Sequence, residues 1–83
     1  MIIEMIVTAY CLTGIMANGE RVHNHSIACP RRYKLGTEMI ILGKNYTCHD
    51  RLSKKYDNRI DIWMPSCKDA IKFGKQKLKV TIN

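Results

Sequence analysis

Short runs of apolar and β-branched residues recur along this chain, and each ends at a turn-forming residue. The runs are Ile2–Tyr10, Ser26–Cys29, Glu38–Leu42, Tyr46–His49, Arg59–Met64 and Lys75–Ile82. The turn signals between them are Asn18-Gly19, Pro30, Gly36 and Gly43. Short strands at regular spacing in a small chain predict a closed or nearly closed β-barrel.

One helix is predicted within this pattern, near the carboxyl end. Ser66 followed by Asp69 resembles a capping box, and Gly74 is a typical helix stop. The residues that could supply its apolar stripe are Ala70, Ile71 and Phe73. We therefore predict an all-β chain with one short helix.

The length of 83 residues predicts one domain covering residues 1–83. A chain this short buries only about 60–65% of its unfolded surface, so a surface groove is a more plausible site than a deep pocket. No run approaches the ~20 apolar residues of a membrane-spanning helix, so no membrane span is expected. We expect a monomer.

The formal charge of +7 and a pI of about 9.5 favour an anionic partner. Basic residues cluster in the ranges 31–34, 51–55 and 68–79, with Tyr33 and Tyr56 in the first two. Nucleic acid, an anionic wall polymer and a membrane surface all fit such a charge. No recognised nucleic-acid reader motif is present, so nucleic-acid binding is kept as an alternative.

Four cysteines, Cys11, Cys29, Cys48 and Cys67, are widely spaced, with no Cys-x-x-Cys pair. This spacing argues against a zinc knuckle or a thioredoxin site. Two disulfides, with three possible pairings, would suit a small secreted domain. The other interpretation is that the cysteines are small buried apolar residues.

The amino-terminal residues do not resemble a secretory signal. Met1–Tyr10 lacks a basic leading region and contains Glu4. We therefore expect synthesis in the cytoplasm without an export signal, which would suit a phage or mobile-element product.

Three histidines are candidate metal ligands: His23, His25 and His49. On a strand, His23 and His25 would point to the same side. No acidic or cysteine partner stands at a recognised spacing, so neither a metal nor another cofactor is expected.

The run Arg59–Met64 alternates between two kinds of residue. Ile60, Ile62 and Met64 share one face of the predicted strand, and Arg59, Asp61 and Trp63 share the other. One interpretation is an exposed strand with an ordinary Arg–Asp pair. The other is an acid–base carboxylate in a groove, beside an aromatic platform.

Asp50 directly follows the predicted strand Tyr46–His49 and also has two interpretations. It could start a turn by hydrogen-bonding to its own backbone. Alternatively, it is a second groove carboxylate that works together with Asp61.

Seven short motifs occur in an order that resembles the double-psi β-barrel domains of the three-aspartate group and of rare lipoprotein A. They are Thr8-Ala9-Tyr10, Ala17-Asn18-Gly19-Glu20, Ser26-Ile27-Ala28, Leu35-Gly36-Thr37-Glu38, Asp50-Arg51, Asn58-Arg59-Ile60-Asp61-Ile62 and Ala70-Ile71-Lys72-Phe73-Gly74. Each is weak alone, but together they span nearly the whole chain. The resemblance implies a small six-stranded double-psi β-barrel.

The resemblance also implies a groove for peptidoglycan glycan strands and a lytic transglycosylase reaction. Asp61 then matches the catalytic acid–base residue, and Asp50 would orient the sugar or stabilise the developing positive charge. We expect the substrate to contact Trp63, Arg59, Arg51 and Tyr56.

The chain departs from the three-aspartate pattern at two places. Cys29-Pro30 occupies the position of the first aspartate, and Arg51–Lys55 replaces a glycine-rich segment. A catalytically silent barrel that binds glycan or a protein partner is therefore an alternative to the enzyme.

Overall fold

The computed structural model describes all 83 residues and consists of six strands and one helix. They are β1 (Ile2–Tyr10), β2 (Ser26–Cys29), β3 (Glu38–Ile41), β4 (Lys44–Arg51), β5 (Arg59–Trp63), α1 (Cys67–Phe73) and β6 (Lys75–Ile82). The mostly-β chain with one short helix is confirmed.

The strands close into a barrel in the order β1-β5-β2-β4-β3-β6, and β6 pairs again with β1. Two pairings are parallel, β1 with β5 and β2 with β4; the other four are antiparallel. The predicted closed six-stranded barrel is therefore confirmed. The parallel pairings bring together segments that are far apart in the sequence.

The barrel interior is filled by alternate residues of every strand. Its buried members are Met5, Val7, Ile27, Cys29, Met39, Ile41, Cys48, Ile60, Ile62, Val80 and Ile82. Each large apolar side chain buried in this way contributes about 1.5–3 kcal/mol. Because strand side chains alternate, the residues next to these core positions point to the outer surface.

Two disulfides tie the barrel together, and no cysteine is free. Cys29–Cys48 joins β2 to β4 inside the core, and Cys11–Cys67 joins the chain just after β1 to the start of α1. This decides between the alternatives left open by the sequence. By loop entropy, closing loops of 19 and 56 residues stabilises the fold by about 3 and about 4 kcal/mol.

Two turns differ in detail from their prediction. The β3–β4 hairpin turns at Leu42 and Gly43, with φ of 52° and 77°, so β3 ends at Ile41 and β4 begins at Lys44. At the Asn18-Gly19 turn only the glycine has a positive φ, 90°. There the asparagine contributes its side chain, because its Oδ1 accepts a hydrogen bond from the Glu20 amide at 2.9 Å.

The helix begins where the sequence predicts, but fewer of its apolar residues are buried than predicted. Ser66 is the N-cap, and its Oγ accepts a hydrogen bond from the Asp69 amide at 3.2 Å. Ala70 is buried and Phe73 is half-buried, whereas Ile71 is 81% exposed. The inclusion of Ile71 in the apolar stripe was therefore wrong. With only seven residues, this helix is far too short to cross a lipid bilayer.

Candidate functional site

Four residues form one row across the outer surface of the barrel, which we call the aspartate row: Thr8, Asp61, Ala28 and Asp50. Thr8 is in register with Asp61, Asp61 with Ala28, and Ala28 with Asp50. Neighbouring strands are about 4.8 Å apart, so the two aspartate backbones are about 10 Å apart. Ala28 lies between the two aspartates in this row and is only 5% exposed, and neither aspartate lines one of the two clefts of the structure.

The alternation predicted for β5 is confirmed. Ile60 and Ile62 are buried in the core, whereas Arg59, Asp61 and Trp63 are half-buried on the outer face. Met64 lies just beyond the strand and packs, partly buried, against the core.

A hydrogen-bonded chain orients Asp61. The Thr8 hydroxyl donates to Asp61 Oδ1 at 2.8 Å, and Arg59 Nε donates to the Thr8 hydroxyl oxygen at 3.2 Å. Arg59 therefore contacts Asp61 only indirectly, through the Thr8 hydroxyl. The direct Arg–Asp pair expected for an ordinary exposed strand is not formed. Asp61 Oδ2 has no hydrogen bond within the protein and is not buried.

Asp50 reaches the row because of a β-bulge. Ile27 pairs with Cys48 and Ala28 with Asp50, so His49 is an extra residue in β4. Without it, strict alternation would point Asp50 into the core together with Cys48.

Two backbone amides fix the Asp50 carboxylate. Asp50 Oδ1 accepts hydrogen bonds from the Ala17 amide at 3.0 Å and the Arg51 amide at 2.8 Å. The bond from Arg51 is the local contact of a turn aspartate, yet the side chain also belongs to the aspartate row. Its Oδ2 makes no hydrogen bond within the protein.

Tyr10 lies within the electrostatic field of both aspartates. Burial, then the negative charge of Asp50, then that of Asp61, raise the pKa of Tyr10 to about 12. Its phenol oxygen is buried and has no hydrogen-bond partner. The phenol therefore keeps its proton well above pH 10, and its O–H group has no acceptor within the protein.

Thr8 and Tyr10 were missed as site residues by the sequence reasoning, which assigned them only to the first strand. Alternation from the buried Val7 does put both on the outer face. The sequence carries no signal for the parallel pairing with β5 that brings them to Asp61.

The predicted substrate-contacting residues are divided between two clefts and the open surface. Trp63 is in register with Tyr10, and its indole Nε1 donates to the Leu12 carbonyl oxygen at 3.0 Å. The guanidinium of Arg59 lies 4.8 Å from the centre of the Tyr56 ring. Arg51 is exposed beside Asp50.

The larger cleft, of about 590 Å³, lies between the barrel and α1. Its lining combines aromatic and charged side chains: Trp63, Tyr46, Phe73, His25, Lys44, Lys72 and Asp69. The smaller cleft, of about 260 Å³, includes Arg59, Tyr56 and Asp57. Trp63 and Arg59 therefore flank Asp61 on one strand face but line different clefts.

The imidazole rings of His23 and His25 lie beside different neighbours, contrary to the prediction that both would point to the same side. The His25 ring lies 6.1 Å from that of Tyr46, whereas the His23 ring lies 5.0 Å from that of His49. His23 Nε2 is also 3.6 Å from Glu20 Oε1. The hydrogen bond from Asn18 is the main reason that the pKa of Glu20 is lowered.

We compared the chain with protein families, curated proteins and solved structures, and none of them matches it. The fold and the geometry of the site therefore carry the functional argument.

Proposed function

We propose that this protein is a double-psi β-barrel that binds peptidoglycan glycan strands and cleaves them as a lytic transglycosylase. The two parallel strand pairs within a closed six-stranded barrel support the fold assignment. The observation that carries the function is the aspartate row, in which Asp50 and Asp61 flank Ala28 and each keeps one carboxylate oxygen free.

In this mechanism Asp61 acts first as an acid and then as a base. Its carboxyl group protonates the glycosidic oxygen as the bond to the sugar C1 breaks. The carboxylate then takes the proton of the sugar's own 6-hydroxyl while that oxygen bonds to C1 and closes an anhydro ring. No water is consumed, so one acid–base group serves both steps, in contrast to the two carboxylates of ordinary glycosidases.

The neighbouring residues have supporting roles in this proposal. Thr8 holds one oxygen of Asp61, which leaves the other to face the substrate. The negative charge of Asp50 stabilises the positive charge that develops on the sugar ring.

The clefts supply contacts away from the reacting bond. The aromatic rings of Trp63 and Tyr46 offer apolar surfaces for sugar rings, and Lys44 and Lys72 add positive charge. The net charge of +7 favours association with an anionic wall. Trp63 connects this cleft to Asp61, because both lie on the outer face of β5.

The test is the release of anhydro-muropeptides from purified cell-wall sacculi, measured by mass spectrometry. We expect release by the wild type, none by Asp61→Asn and less by Asp50→Asn. Glu38→Gln is the control, because this exposed carboxylate on β3 lies outside the aspartate row and outside both clefts and should leave release unchanged. Unchanged release by Asp61→Asn would remove Asp61 from this role, and no release by the wild type would refute the enzyme.

One observation favours a barrel that binds glycan without cleaving it. Cys29 stands at the position of the family's first aspartate, and here it is buried in a disulfide. It therefore contributes nothing to the groove. Binding to sacculi in a sedimentation assay, without any released product, would support this alternative.

A nucleic-acid binder is supported by a different surface. Lys75, Lys77 and Lys79 are exposed along one face of β6. Phosphate contacts by such lysines would make the affinity for DNA or RNA fall steeply as salt rises. A flat salt dependence would exclude this function.

A further inference from the structure

Three side chains that commonly bind metals meet beside the aspartate row: Glu20, His23 and His49, here called the histidine cluster. One ligand atom from each lies within 4.8 Å of the other two, and His23 Nε2 is 3.6 Å from Glu20 Oε1. Bonds of about 2.0–2.1 Å to a tetrahedral zinc ion put ligand atoms about 3.4 Å apart. Small side-chain rotations would therefore bring all three onto one ion.

Hydrogen bonds already orient each of the three side chains. His23 Nδ1 is 2.9 Å from the Asn24 carbonyl oxygen, which can only accept, so Nδ1 carries the proton and Nε2 keeps its lone pair. His49 Nδ1 is 3.0 Å from the hydroxyl of the fully buried Ser26. Outer contacts of this kind fix the ring orientation of metal-binding histidines.

Hydrogen bonds also fix the Glu20 carboxylate and the loop that carries it. Asn18 Nδ2 donates to Glu20 Oε1 at 2.7 Å. The Asn18 amide donates to the His49 carbonyl oxygen at 3.1 Å, which holds the loop against β4. A ladder contact between Ile15 and Arg21 closes the base of the loop. The cluster is thus assembled from two segments that the fold holds together.

We propose that Glu20, His23 and His49 form a binding site for Zn²⁺. Two imidazoles and one carboxylate suit zinc, whereas Mg²⁺ and Ca²⁺ prefer a full set of oxygen ligands. The side chains of His23 and Glu20 are 48% and 59% exposed, so the remaining coordination positions face solvent. The ion would cross-link the loop to β4. This site uses none of the residues assigned to glycan cleavage and stands independently of that function.

Calorimetric titration of zinc into the disulfide-intact protein tests the site. We expect one zinc ion per chain with micromolar or tighter affinity, and no measurable heat with magnesium. His23→Asn and Glu20→Gln should each weaken zinc binding at least tenfold. His25→Asn is the matched control: His25 is also exposed, but its ring faces Tyr46, so binding should be unchanged. No binding by the wild type, or equal binding by His23→Asn, would overturn the proposal.

Thermal unfolding gives a second measurement. A ligand that binds only the folded chain raises its melting temperature. Zinc should therefore raise the melting temperature of the wild type and of His25→Asn, but not that of His23→Asn. His49→Asn also disturbs the contact with buried Ser26, so the two exposed ligands carry the test if this variant fails to fold. An equal zinc shift in the wild type and His23→Asn would refute the site.

Discussion

Replacing Tyr10 by phenylalanine should make the protein more stable. The Tyr10 phenol oxygen is buried without a hydrogen-bond partner. Such a group costs about 1–3 kcal/mol of stability, and we take the lower end because the side chain as a whole is only half-buried. Tyr10→Phe should therefore gain about 1 kcal/mol at neutral pH, which raises the melting temperature of a domain this size by about 4–8 °C.

The gain should grow at high pH. The pKa of Tyr10 is raised from 10.0 to about 12 in the folded chain. Below pH 10 both states keep the proton; above it the unfolded state loses its proton first, so wild-type stability falls until the pH passes the folded pKa. Two pKa units correspond to about 2.7 kcal/mol, which we reduce to about 1 kcal/mol because solvent screens this partly exposed side chain.

Urea unfolding followed by Trp63 fluorescence, at pH 7 and above pH 10, measures both effects. Burial also raises the pKa of Tyr46, so near-ultraviolet absorbance should show two late-titrating phenols in the wild type and one in Tyr10→Phe. Tyr33→Phe is the control, because the Tyr33 hydroxyl accepts a surface hydrogen bond from Arg32 at 3.2 Å and its loss should change stability by less than about 0.5 kcal/mol. A loss of 1 kcal/mol or more in Tyr10→Phe would refute the reasoning, since the phenol would then have a stabilising partner.

Two further predictions follow from the disulfides and from the aspartate row. Brief treatment with dithiothreitol, followed by alkylation and peptide mapping, should show Cys11–Cys67 reduced before Cys29–Cys48, because thiolate attack needs access and Cys67 is exposed whereas Cys29 and Cys48 are at most 1% exposed. Equal rates would contradict this. Ala28→Leu should abolish binding to sacculi by placing a larger side chain between Asp50 and Asp61, at a cost of about 1–3 kcal/mol in stability; unimpaired binding by a folded variant would show that the glycan does not lie there.

Local patterns in the sequence were sufficient to predict the elements of the fold. Alternation separated the core residues Ile60 and Ile62 from Asp61, and the capping residues marked the helix start. The residues that make up each of these signals lie close together in the chain, so one sequence is enough to detect them.

Pairing between distant segments was not predictable in the same way. The Thr8–Asp61 contact depends on a parallel pairing between strands about fifty residues apart, and no local pattern encodes that register. The outward orientation of Asp50 was even harder to predict, because strict alternation along the strand puts Asp50 on the same face as Cys48. Only the bulge at His49 turns it outward.

The order of strands around the barrel also has a consequence for how the chain folds. The two neighbours of β1 are β5 and β6, which are the last strands of the chain. β1 thus stays unpaired, with its backbone edges open, until the segment after Arg59 has left the ribosome. Topologies dominated by such distant pairings fold in about milliseconds to seconds and expose strands that can pair with other chains. During synthesis β1 is therefore the segment most exposed to aggregation, and a chaperone that covers extended apolar strands would act there first.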